Sequence, residues 1–212
     1  MVVIGWLILG YLVGSVPVGV VVSRALRGVD IRRYGTGNFG ASNTWRNLGL
    51  RPAAVVGVAS FAQGLLPAWL AGVVTGQASC VVAAGVGAVL GYGWSFFLRL
   101  RGGSAVGTAT GALAAIWPLG LVPLLGLYAA GGVLRQPAVG VLAGLLAFLV
   151  SMKLTAQPQL LVWGCVAIVA MVILRRLDGI QDDIRGEHPA AALVGRLLFD
   201  RRPGRHLVGP IE

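Results

Sequence analysis

The chain has 212 residues, of which 57% are hydrophobic and only 11% charged, against about 25% charged in soluble domains. That composition excludes an ordinary water-soluble globular fold and points to an integral membrane protein. The net charge is +10, from 17 Lys+Arg against 7 Asp+Glu, but the cations punctuate apolar runs instead of building a basic face, so membrane lipid and not nucleic acid is the expected partner.

A crossing needs about 20 apolar residues. Residues 2–22 supply the first. No basic segment precedes Val2, and Gly14-Ser15-Val16-Pro17 is not a small-x-small cleavage site, so this run reads as a span and not as a cleavable signal. Residues 53–74 follow Pro52, and residues 80–98 form the third span. Residues 105–134 carry no charge and are interrupted at Trp117-Pro118. They are too long for one ordinary helix, and a split near Pro118 gives two short ones. Residues 139–152 and 160–174 complete the set, the last ending at Arg175-Arg176.

Charge placement orients these spans. Arg24, Arg27, Arg32, Arg33, Arg46 and Arg51 fill the first loop, Arg99 and Arg101 follow the third span, and seven arginines from Arg175 onward lie in the tail, whereas 75–79 is uncharged. Basic loops face the cytoplasm. Seven crossings with the N-terminus outside and the C-terminus inside leave only Lys153 among the 17 cations outside. The expected fold is thus an all-α integral membrane protein of about seven short transmembrane helices, multi-pass in the inner (plasma) membrane. Residues 1–175 form the transmembrane domain with cytoplasmic loops 24–51 and 99–104, and residues 176–212 a cytoplasmic basic tail. Within the tail, 190–199 reads as a short interfacial helix, with Arg201, Arg202 and Arg205 as anchors to anionic headgroups. No span carries an ionisable residue in its middle, which argues against an ion-coupled transporter. Cys80 and Cys165 lack any ligand or disulfide spacing, and no metal is expected. His188 and His206 have no partner at a telling spacing and receive no role.

Two segments are more than connectors. Between Asp30 and Gly49 the chain carries Gly35, Gly37 and Gly40 with Thr36, Asn38, Ser42 and Asn43. Glycines bring backbone N–H groups close to a ligand, successive N–H groups make an anion nest, and a helix starting near Ala41 or Ser42 adds its N-terminal dipole. In that reading Arg46 reaches back as a planar phosphate donor; the alternative is a positively charged loop whose glycines merely turn the chain. The second segment, Arg101-Gly102-Gly103-Ser104, reads either as a second anion-binding turn or as a plain Gly-Gly turn with Ser104 as N-cap.

These residues resemble the bacterial acyl-phosphate:glycerol-3-phosphate acyltransferases, small polytopic membrane enzymes of phospholipid synthesis. Gly14-Ser15-Val16-Pro17 is similar to the family's Gly-Ser-Ile-Pro. Asp30-Ile31-Arg32, then Gly35-Thr36-Gly37-Asn38-Phe39-Gly40-Ala41-Ser42-Asn43, Arg46 and Gly49, is similar to its signature loop. Elsewhere the chain departs. Ser104 stands where the family has a Lys, Tyr92 where it has a His, Ser60 and Gln63 where it has Asp and Lys, and Arg135-Gln136-Pro137-Ala138-Val139-Gly140 replaces a Ser-containing stretch. The third motif aligns with Arg176, Gly179, Asp182 and Gly186.

The resemblance implies transfer of a fatty acyl group from acyl phosphate to glycerol 3-phosphate, giving lysophosphatidic acid, without cofactor. It implies catalytic roles for Thr36, Asn38, Arg46 and Ser104. It implies substrate binding by Ser15, Gly35, Gly37, Gly40, Asn43, Arg101, Gly102 and Gly103. A decayed paralogue that binds a phosphorylated lipid or polar phosphate, and a small membrane transporter, are the competing readings.

Overall fold

The computed structural model describes residues 1–177. The expected helix at 190–199, the three anchoring arginines of the tail and the third-motif positions Gly179, Asp182 and Gly186 lie outside these residues.

Every described element is helical. Helices α1 (Val2–Ser15) and α2 (Val18–Arg27) form one apolar rod broken at Val16-Pro17. Proline has no N–H to continue the ladder, and the break is held by short local bonds, from the Val16 amide to Val13 at 3.3 Å and from the Val18 amide to Val16 at 3.0 Å. Gln63 Nε2 reinforces both carbonyls, donating to Val13 at 2.8 Å and Val16 at 2.9 Å. A short turn of 3-10 helix, Ile31–Arg33, and helix α3 (Ala41–Leu48) lie in the first loop. The remaining helices are α4 (Leu50–Thr75), α5 (Ala78–Gly93), α6 (Val106–Ile116), α7 (Leu121–Val133), α8 (Pro137–Leu154) and α9 (Gln159–Leu177).

Among the described residues, five stretches are long and apolar enough to cross a membrane: Val2–Arg27, Leu50–Thr75, Ala78–Leu98, Pro137–Leu154 and Gln159–Leu177. The uncharged run at 105–134 divides at Trp117-Pro118 into two shorter apolar helices. The first of them, α6, is buried almost throughout, with Thr108, Ala109, Ala112 and Leu113 all inaccessible. A helix apolar on every side is stable where protein surrounds it, and α6 packs against α4, α5 and α9.

Small residues set the closest approaches. A Cβ on Gly10 or Gly14 would run into the carbonyls of Ala84 and Ala88, and one on Gly87 or Gly91 into those of Leu7 and Tyr11. Helices α1 and α5 therefore meet backbone to backbone, as membrane helices do when small residues face one another. The outer faces show the reverse pattern of a soluble protein. Ile4, Ile8, Val58, Val73, Val150 and Trp163 are exposed, which suits a hydrocarbon solvent. Phe148, Leu145, Leu113, Ile168 and Val172 fill the interior.

Candidate functional site

The first loop is folded around one side chain. Asn43 is buried; its Oδ1 accepts the Thr36 amide at 2.9 Å, and its Nδ2 donates to the carbonyls of Asn38 at 2.7 Å and Tyr34 at 3.1 Å. Asn47 Nδ2 donates to the same Oδ1 at 3.0 Å. The chain can wrap so tightly because Gly35 (φ +54°) and Gly37 (φ +73°) take the left-handed conformation that costs other residues energy. Phe39 anchors the loop from below, buried and packed on Tyr92 with ring centroids 4.8 Å apart.

The loop delivers a helix start. Gly40 is the N-cap of α3, and the first helical bond runs from the Thr44 amide to the Gly40 carbonyl at 3.1 Å. The amides of the first turn have no intrahelical acceptor, so they and the helix dipole favour an anion. Asn38 fixes the entry, its Oδ1 accepting the Gly40 amide at 3.1 Å.

Asp30 closes the other end of the loop. It accepts from the Arg32 backbone amide at 3.1 Å and from Arg32 Nη2 at 2.6 Å, with Arg24 at 3.5 Å. The Arg32 side-chain hydrogen bond holds its carboxyl below the usual carboxylate range, and Asp30 in turn raises Arg32.

The second loop is held by a residue far away in sequence. Arg175, in the last turn of α9 and only 7% exposed, donates from Nε to the Gly103 carbonyl at 3.1 Å and from Nη2 to the Gly102 carbonyl at 2.9 Å. Its guanidinium lies 5.2 Å from the centre of the Trp94 ring, within cation–π range. The Gly103 amide donates to the Tyr92 carbonyl at 3.0 Å. The loop then enters α6 through Ala105, buried at φ +57°. Ala105, not Ser104, is the N-cap residue, and the cap has no side-chain hydrogen bond.

These parts enclose a cavity of about 460 Å³. Thr36, Asn38, Gly40, Asn43 and Arg46 line it from the first loop and α3, and Ser104 from the second loop. Ser60 and Tyr92, whose hydroxyls are hydrogen bonded at 3.2 Å, line it from α4 and α5. Arg135 to Ala138 and Arg176 complete it from the α7–α8 turn and the end of α9. Arg176 Nη1 donates to the Ala138 carbonyl at 3.0 Å. Arg135 has φ +56°, with the Gln136 amide donating to Gly131 at 2.8 Å and the Arg135 amide to Gly132 at 3.1 Å. That is a Schellman helix end, with Arg135 at the position usually taken by glycine.

The structure thus brings Thr36, Asn38, Gly40, Asn43, Arg46 and Ser104 together. It does not bring the other six expected residues to the cavity. Gly35 and Gly37 shape the loop. Ser15 is buried between α1 and the turn after α5, its Oγ accepting the Phe96 amide at 3.3 Å and its carbonyl accepting from Ser95 Oγ at 2.5 Å. Arg101 is exposed. Gly102 and Gly103 give their carbonyls to Arg175, and Gly103 its amide to Tyr92, so these groups hold the loop itself. The sequence puts Arg175 and Arg176 among the tail cations, with Arg176 also at the start of the family's third motif, and gives Arg135 no role. A pair of arginines closing an apolar run looks like a headgroup anchor, and only tertiary contact shows Arg175 turned inward.

Comparison with known proteins shows the family and the fold. The family described as glycerol-3-phosphate acyltransferase matches residues 4–186. A relative from Dehalococcoides mccartyi, glycerol-3-phosphate acyltransferase 5, is 30% identical over 201 residues, covering 92% of this chain and 86% of its own. Glycerol-3-phosphate acyltransferase 2 of Moorella thermoacetica is 45% identical over 115 residues, 54% of this chain and 59% of its own. Crystal structures of PlsY, an integral membrane glycerol 3-phosphate acyltransferase, superpose with TM-scores of 0.74 for the glycerol 3-phosphate form and 0.72 for the lysophosphatidic acid form. Both are 26% identical and cover 86% of this chain, with 92% and 91% of their own length matched. The chain belongs to the glycerol-3-phosphate acyltransferase family.

Proposed function

We infer that this multi-pass membrane protein transfers a fatty acyl group from acyl phosphate to glycerol 3-phosphate, giving lysophosphatidic acid for phospholipid synthesis. One observation carries the reading: Thr36, Asn38, Arg46 and Ser104, from two separate loops, line a single cavity in a fold shared with a glycerol 3-phosphate acyltransferase.

Acyl phosphate is a mixed anhydride, already activated. The 1-hydroxyl oxygen of glycerol 3-phosphate bonds to the acyl carbon, the bond from that carbon to the phosphate oxygen breaks, and phosphate leaves with the electron pair. An oxygen of the departing phosphate takes up the hydroxyl proton. The products, lysophosphatidic acid and inorganic phosphate, balance. The protein's task is to hold two phosphate-bearing molecules in line and offset their repulsion, and such positioning contributes up to about 7–11 kcal/mol of a barrier. Arg46 and the open amides of α3 hold one phosphate. Thr36, Asn38 and Ser104 donate to the reacting oxygens, where losing one oriented donor costs on the order of 10²–10³ in rate.

The chain crosses the plasma membrane seven times with the N-terminus outside, and the cavity opens on the cytoplasmic side. The distribution of cations supports this arrangement. Purified protein given glycerol 3-phosphate with either acyl phosphate or acyl-CoA tests the reaction: transfer from acyl phosphate alone is expected, and transfer confined to acyl-CoA overturns the donor. Impermeant thiol labelling of a cysteine placed in the tail tests the orientation, with labelling expected only after the cells are opened.

A further inference from the structure

We propose that Arg135, together with Arg176, forms a second phosphate-binding wall of the cavity and supplies the positive charge that Ser104 does not. The proposal rests on the acyl-transfer reading, in which two phosphate-bearing substrates share one cavity.

The two arginines reach the cavity from elements unrelated to the first loop. Arg135 sits in the turn between α7 and α8, and Arg176 in the last turn of α9. They are tied to the same short segment: Arg135 begins 135–138, and Arg176 Nη1 donates to the carbonyl at its end, Ala138. Among the described residues, the cavity therefore has one cation, Arg46, on the α3 side and two on the α7–α9 side. No described carboxylate lines it.

The need for this second wall follows from charge. Two phosphates a few ångströms apart repel strongly in a cavity that water fills only in part, and one guanidinium does not offset both. The second loop contributes only the neutral Ser104, while its exposed Arg101 stays outside the lining.

The backbone at Arg135 accepts a glycine. Glycine is the residue that a Schellman end favours; the chain places Arg135 there at φ +56°, as it places Ala156 at φ +50° after α8, so removing the side chain need not disturb the turn. A cation at a helix C-terminus also meets the dipole of α7 favourably. That role affects stability and has no bearing on substrate, so the two are separable by experiment.

The separating variants are Arg135→Gly, which suits the left-handed backbone but removes the charge, and Arg176→Gln, both in the full chain purified in detergent. Arg135→Gly is expected to melt no lower than wild type yet to raise KM for one substrate by about tenfold, the scale of a lost charged hydrogen bond, with a smaller change in kcat. Arg176→Gln is expected to raise KM for the same substrate. Varying glycerol 3-phosphate and acyl phosphate in turn assigns the wall to one phosphate or the other. Arg51→Gln, at an exposed site outside the cavity, should stay within about twofold. If both KM values stay within about twofold of wild type in Arg135→Gly and in Arg176→Gln, the proposal is overturned. Should wild type transfer no acyl group, calorimetric binding of glycerol 3-phosphate and of inorganic phosphate decides separately. Binding that Arg135→Gly weakens about tenfold upholds the wall while the transfer reading falls. Binding that is absent from wild type, or unchanged in the variant, overturns the wall.

Discussion

Asn43 Oδ1 accepts the backbone amide of Thr36 at 2.9 Å. The two residues are seven positions apart, and the bond bends the glycine-containing loop back over the start of α3. Thr36 reaches the cavity because Asn43 holds it there, so Asn43 acts on the reaction chiefly through position.

Asn43→Asp tests that division. The carboxylate keeps the acceptor for Thr36 but loses the donors to Ile31, Tyr34 and Asn38 and sets a negative charge against their carbonyls. Each buried group left unsatisfied costs about 1–3 kcal/mol. A fall in melting temperature and a loss of turnover should appear together, in thermal unfolding and acyl transfer measured on the same preparation.

Arg46 is exposed on α3, so its removal should leave the fold intact. Arg46→Ala should weaken binding of a phosphorylated substrate by about 1.5–3 kcal/mol, the scale of a hydrogen bond to a charged group. Arg46→Lys should recover only part of it, because the planar fork is lost. Titration calorimetry with glycerol 3-phosphate reads both values.

Ser104 stands where the family pattern has a lysine, and the backbone of the next residue, Ala105, bears on what that position can hold. Ala105 holds φ +57°, a conformation that costs a residue with a Cβ about 1–2 kcal/mol. Ala105→Gly should relieve that strain, less what the lost methyl contributed by packing. Ser104→Lys in the same chain places a point charge in the cavity beside a relaxed turn, and should raise turnover or lower KM for glycerol 3-phosphate. A double variant that abolishes transfer would show that Ser104 is itself essential, in a differently arranged site.

The Asp30–Arg32 pair gives the fold an acid-sensitive element. Because the folded carboxyl titrates below its ordinary value, its stabilisation is complete above the ordinary carboxylate range and is lost as pH falls through the folded value. Asp30→Asn should be less stable than wild type at neutral pH, and the gap should begin to narrow as pH falls into the ordinary carboxylate range and close only below the lowered folded value. Unfolding curves across that range check the sign.

Much of this was legible in the chain itself. The division at Trp117-Pro118 shows in sequence because proline interrupts a helix wherever it falls, and α3 begins at Ala41 because Gly40 and the small polar residues before it cannot sustain a helix. The meeting of Thr36, Asn38, Arg46 and Ser104 was readable only through the family pattern, since the two loops are far apart along the chain. Charge was the least legible. Arg101 and Arg175 both flank apolar runs and look alike in sequence. One stays in solvent, and the other turns inward to carbonyls 72 and 73 positions earlier. Local patterning carries no trace of a contact at that separation.

The backbone contact between α1 and α5 has a consequence for how this protein can change over time. Gly10, Gly14, Gly87 and Gly91 each sit where even one methyl would strike a carbonyl of the opposite helix, so no single exchange there is tolerated without parting the pair. The lipid-facing positions carry no such restriction, because any apolar side chain of any shape dissolves in acyl chains. Descendants of this gene should keep a frozen seam inside a drifting exterior, and an engineer seeking altered acyl-chain preference should leave those four positions untouched.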